Sequence, residues 1–189
     1  MYTEKLITQR DLEAYEVTLE KFASSGDETL FINDGKKYAS ILMSVMLRHT
    51  EKEIRLFCCG FKEDLITTQP YWNSLVEYLK DAKKRFMVLV ETDSYKEQAP
   101  MQLLLREKAK RGDDTISVKL ITAEDKKLIN DKVVEEHCNF GVFDGNKFRF
   151  EYDPDNFRAY GSFNKPNTCK FLTEIFDSAF NNPQARVLV

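Results

Sequence analysis

The chain has 189 residues, 42% of them hydrophobic and 31% charged, with a formal net charge of -3. That length suits one domain with a sizeable core, and the charge excludes a global attraction to nucleic acid or an anionic membrane. No long uncharged apolar run is present, which excludes a membrane-spanning helix, and the opening Met1-Tyr2-Thr3-Glu4-Lys5 has neither the basic start nor the apolar core of a signal peptide. A cytoplasmic protein is the expectation. Cys58, Cys59, Cys138 and Cys169 show no zinc-ligand spacing, so reduced and mostly buried thiols are expected, with no metal and no cofactor.

In chain order, Leu12, Tyr15, Leu19 and Phe22 recur at roughly helical spacing behind Thr8, which has Asp11 three residues on as a capping partner. Residues 1–28 read as a helical segment ahead of a domain at 29–189, packing on its edge or on a partner. From Thr29 the pattern changes to strands alternating with helices. Thr29–Ile32 is a strand, Asn33-Asp34-Gly35 a turn, and Tyr38, Ile41, Leu42, Val45 and Met46 form a helical stripe. Glu53–Phe61 is the next strand, followed by a helix through Trp72, Leu75, Val76 and Leu79, a strand at Phe86–Val90 and a polar loop at Asp93–Pro100. Met101–Lys110 then reads as a helix, Ile116–Ile121 as a strand and Ala123–Val134 as a charged helix. This alternation predicts an α/β domain with a mainly parallel mixed sheet and helices on both faces.

Asp144-Gly145 is a hairpin signal between the strand ending at Phe143 and Phe148–Tyr152. Alternation puts Lys147, Arg149 and Glu151 on one face of the second strand, and Phe148, Phe150 and Tyr152 on the other. Pro166 suits the first turn of a helix carrying Phe171, Leu172, Ile175, Phe176 and Ala179 inward, and Ala185–Val189 adds a last strand.

The chemistry gathers between His137, one of two histidines, and Asn164. His137, Asp144 and Gly161-Ser162-Phe163-Asn164 follow a spacing that resembles the phospholipase D superfamily signature. In that signature a lysine stands two residues after the histidine; here the place is taken by Asn139, so the resemblance is to a single, degenerate motif. It implies a phospholipase D-like fold, His137 as nucleophile through a phosphohistidine, Asp144 as its catalytic companion, and Asn139, Ser162 and Asn164 as phosphate-binding groups. An imidazole suits that role because it is nucleophilic and free of its proton near neutral pH. The transition state also needs positive charge, which Lys147, Arg149 or Arg158 could return to the site. Because the family's reaction uses two histidines and the chain carries one motif, a homodimer is implied. The expected ligand is a phosphodiester or other phosphate-bearing molecule, nucleic acid ahead of lipid, with cleavage weak or lost. Two alternatives stand beside it: an active phosphodiesterase or nuclease, and a non-catalytic module for sensing or protein contact. Read without the family, Asp144 is a hairpin residue, Ser162 a turn former and Asn164 a helix cap.

Overall fold

The computed structural model describes residues 7–135 and 137–189; the opening pentapeptide, read above as lacking a signal peptide, lies outside them. In chain order the elements are α1 (Gln9–Ser25), β1 (Phe31–Asn33), α2 (Lys36–Arg48), β2 (Glu53–Cys58), α3 (Glu63–Ile66), α4 (Gln69–Lys80), β3 (Arg85–Val90) and α5 (Ala99–Arg111). Then follow β4 (Ile116–Leu120), α6 (Ala123–Val133), β5 (Asn139–Phe143), β6 (Lys147–Asp153), β7 (Arg158–Ser162), α7 (Pro166–Phe180) and β8 (Arg186–Val187).

The strands form one mixed sheet in the order β1-β7-β6-β5-β2-β3-β4-β8. Helices cover both faces, as the alternation predicts. Only β2, β3 and β4 run parallel, however; every other pairing is antiparallel, which corrects the expected predominance of parallel strands. The reason is local. Asp144 and Gly145 both adopt positive φ, 54° and 74°, closing a turn in which Asn146 N–H donates to the Phe143 carbonyl, so β6 must return beside β5. A second turn, with Phe157 at φ 56°, sends β7 back along β6. Sequence patterning missed β7, reading its end as a turn, and missed α3.

Strand alternation divides the core into two layers. Ile54, Val88, Val90 and Phe143 face the layer built with α1 to α5, whereas Phe57, Met87, Leu89, Phe140 and Val142 face α6 and α7. In α2 every residue from Ala39 to Leu47 is buried, the mark of a helix enclosed between α1, α4 and the sheet.

The N-terminal helix joins this core. Its start carries the predicted capping box: the Thr8 hydroxyl accepts from Asp11 N–H, and the Asp11 carboxylate accepts from Thr8 N–H. Leu19 is wholly buried, and Arg48 on α2 reaches back to Glu16 at 2.7 Å and to Glu20 at 2.5 Å. No helix among the described residues is long and apolar enough to cross a membrane.

Candidate functional site

The five motif positions do not converge. Hairpin pairing sets Ser162 opposite Phe148 and Phe148 opposite Val142, three residues along β5 from Asn139 and two strands away. At about 3.4 Å per residue and about 4.8 Å per strand, the two backbones are roughly 14 Å apart, and His137 is farther still. Ser162 and Asn164 therefore sit at the opposite end of the sheet, correcting their expected place beside the histidine. There they anchor the N-terminal helix. Ser162 Oγ accepts from Asn164 N–H at 3.2 Å and lies 3.5 Å from the Asp27 carbonyl, while Asn164 Nδ2 donates to the Gly26 carbonyl at 3.0 Å.

Asp144 lies at that far end too. Its carboxylate accepts the backbone N–H groups of Glu51, Lys52 and Glu53 at 2.8, 2.8 and 3.1 Å, and Lys147 Nζ stands 3.0 Å away. Burial by itself would raise its pKa, but these donors hold it below the usual carboxylate range. Asp144 is thus a clamp on the chain entering β2, and Lys147 is held with it, too far off to serve the motif histidine. Arg158 is engaged by Asp34 at 2.9 Å. The second histidine, His49, ends α2 with Nε2 2.6 Å from Glu20.

What stands beside Asn139 is β6. Asn139 pairs with Glu151 and Gly141 with Arg149, so the register places the charged face of β6 against the position of the motif lysine. Asn139 Nδ2 donates to Glu151 Oε2 at 2.5 Å, Arg149 Nη2 donates to Glu151 Oε1 at 2.6 Å, and Arg149 Nε donates to Asn33 Oδ1 at 3.2 Å. The other end of the Asn139 amide accepts from Cys59 N–H at 2.8 Å, and Asn33 Nδ2 donates to the Phe157 carbonyl at 2.5 Å. Arg149 and Glu151 are only 6% and 4% exposed, which makes this an ion pair removed from water and held in place by two amides. Of the three candidate compensating cations, Arg149 alone lies here.

The network forms the polar floor of a cavity of about 70 Å³, walled by Met43, Phe61, Leu65, Ile66 and Tyr71. It opens where the parallel strands end: Cys58 closes β2, and Asn139 begins β5 one residue beyond the Phe57–Phe140 pair. Crevices at the carboxyl ends of parallel strands are the usual ligand position in open α/β sheets. Gly141 keeps the space, since a Cβ there would come within 2.8 Å of Leu56 Cδ2. At the wall, Lys62 Nζ donates to the Pro154 carbonyl at 2.6 Å and sits 4.9 Å from the centre of the Phe157 ring. His137, two residues before Asn139, is exposed and is not part of the lining.

The cysteines offer no alternative nucleophile. Burial pushes Cys138 and Cys169 up to about 12 and raises Cys58 and Cys59 as well, so the thiolate is scarce at neutral pH. No cluster of metal-ligating side chains occurs among the described residues. Sequence reading found Asn139 and Arg149 and placed Glu151 on the face of Arg149 without giving it a part in the site; it passed over Asn33 and the α3 wall. The available signal was the alternation Lys-Phe-Arg-Phe-Glu, in which opposite charges two residues apart share one face.

The sequence matches no protein-family model and no curated protein. Its fold does match solved structures. NucT from Helicobacter pylori is similar with a TM-score of 0.57 at 6% identity, over 84% of this chain and 98% of that one. The phosphatidylserine synthase of Haemophilus influenzae Rd KW20 gives 0.55 at 10% identity, over 85% of this chain and 39% of the enzyme. TrmBL2, an archaeal chromatin protein with a novel mode of DNA binding, gives 0.57 at 14% identity, over 94% of this chain; the chain spans 62% of TrmBL2. The fold is phospholipase D-like, a single α/β domain on a mixed eight-stranded sheet. At these identities the likeness establishes the fold, and function must be argued from the site.

Proposed function

We propose that this chain is a phospholipase D-like module that no longer cleaves phosphodiesters and uses the cavity behind Asn139 to hold a small ligand. One observation carries the reading: the motif lysine's place is filled by an amide engaged at both ends, and the arginine beside it is neutralised by a buried carboxylate. Phosphoryl transfer requires positive charge around the non-bridging oxygens in the transition state, and each missing donor of this kind costs about 3–4 kcal/mol. Glu151 adds repulsion, because an anion seated on Arg149 meets a carboxylate already there. A dimer that joins two His137 side chains belongs to the cleaving alternative, since His49 is bonded to Glu20 at the other end of the fold.

The test is hydrolysis of bis(p-nitrophenyl) phosphate by the native protein and His137→Ala. Equal rates at the background level are expected. Native hydrolysis that disappears in His137→Ala sinks the reading and restores the nuclease or phosphodiesterase alternative.

A second reading, contact with nucleic acid, is favoured by the likeness to the DNA-binding TrmBL2. With a net charge of -3 the contact would rest on a few surface lysines and arginines rather than on the neutral cavity floor. Fluorescence anisotropy of labelled duplex DNA should then show affinity falling steeply between about 50 and 200 mM salt, unchanged by Arg149→Met. Absence of binding at low salt removes this reading.

A further inference from the structure

We infer that the cavity binds a small uncharged molecule carrying a carboxamide, its carbonyl on Nη1 of Arg149 and its N–H on Glu151. This rests on reading the pocket as a non-catalytic ligand site, and names the chemistry that it selects.

The floor presents one unused donor group beside unused acceptor capacity. Arg149 spends Nε on Asn33 and Nη2 on Glu151, and Nη1 has no partner among the described residues although the side chain is only 6% exposed and lines the cavity. Glu151 accepts from Arg149 and Asn139, using two of about four lone-pair positions on its carboxylate. A carboxamide offers the complement of this pair, an acceptor oxygen and a donor nitrogen on one planar group.

Charge excludes the rivals. The floor is neutral as it stands, and the cation of the wall, Lys62, is spent on the Pro154 carbonyl with Asp155 3.8 Å away, so an added carboxylate or phosphate would lie next to Glu151, and an added ammonium next to Arg149, each in a site with little water to screen the repulsion. A pure hydrocarbon would leave Nη1 buried without a partner. Size sets a further limit. A cavity of about 70 Å³ encloses a group of only a few heavy atoms, such as an amide with one methyl group, and the walls of Met43, Leu65 and Ile66 receive that methyl. A larger ligand enters by its amide end.

The experiment is titration of the ¹⁵N-labelled native protein, followed by ¹H–¹⁵N spectra, with acetamide, acetate and inorganic phosphate in separate arms. Acetamide should give saturable shifts at the backbone amides of Cys59 and Gly60 with a millimolar dissociation constant, and acetate and phosphate should bind at least about tenfold more weakly. Ile66→Phe, which fills the cavity without touching its polar floor, should abolish the shifts while keeping a folded spectrum. Arg149→Met should do the same; if it unfolds, Ile66→Phe decides alone. The inference is overturned by the absence of saturable acetamide shifts, by acetate or phosphate binding as tightly, or by undiminished acetamide binding in folded Ile66→Phe. The phosphodiester assay on the same preparation reports separately: His137-dependent cleavage defeats the non-catalytic reading whatever acetamide does, and failed acetamide binding leaves that reading standing.

Discussion

Replacing Glu151 with alanine is expected to lower the free energy of unfolding by about 3–5 kcal/mol, because it strands the Arg149 guanidinium in a nearly dry site. Asn139 loses its acceptor in the same step, and Asn33 alone remains to Arg149. The double variant Arg149→Met/Glu151→Leu removes both charges together and should recover most of that loss, since the attraction within a buried pair is largely spent on desolvating it. Urea denaturation of the native protein, both single variants and the double variant measures the coupling. If Glu151→Ala loses under about 1 kcal/mol, the pair is hydrated and the account of a dry polar floor fails.

The second large effect belongs to Asp144. Asp144→Ala removes the common acceptor of three consecutive backbone donors and the partner of Lys147, and a loss of about 2–4 kcal/mol is expected. The pH dependence has a definite sign. Burial opposes ionisation, but the three N–H groups and Lys147 hold the folded pKa below that of the unfolded chain, about 3.9. The group therefore binds more protons when unfolded. Its contribution is complete above about pH 4 and is withdrawn as pH falls through the lowered folded value. The native protein should lose stability more steeply than Asp144→Ala on the acid side, and the two curves should run parallel from pH 5 to 8. Parallel curves down to pH 2 would mean that Asp144 is not held ionised by the fold.

Both effects bear on how the motif is to be understood. In this chain the aspartate at the motif spacing acts as a structural clamp at one end of β5, while the asparagine in the lysine's place belongs to a polar floor at the other end. Residues that share a signature in the sequence thus part company: Asp144, Ser162 and Asn164 secure the start of β2 and the α1–β7 junction, Asn139 shapes a cavity, and His137 belongs to neither. An asparagine at position 139 and a carboxylate from Glu151 beside it act in the same direction, because neither offers positive charge to a phosphate.

Local signals carried much of the fold. The capping box at Thr8 and Asp11, the stripe from Tyr38 to Met46, the apolar run Phe86–Val90 and the Asp144-Gly145 turn each specify backbone through interactions within a few residues, so they are legible without the rest of the chain. That residue 139 is an uncharged asparagine was equally plain. The presence of β7 was harder to see, because Tyr160-Gly161-Ser162 is too short and too mixed to show a period and becomes a strand only by bonding between β1 and β6.

The site itself was decided by register. In a hairpin the residue opposite Asn139 is the one equally far beyond the turn, which is Glu151, and Ser162 cannot come closer than the second strand over. The sequence by itself determined the α/β pattern, the hairpin and the absence of the lysine, since these rest on local propensity and residue identity. Only the tertiary structure decided that β6 stands between β5 and β7, and that Arg149 and Glu151 are enclosed beneath α2, α3 and α4. Pairing across strands and burial under helices depend on partners distant in the chain, and a linear spacing does not encode which of two later segments will take the place beside Asn139.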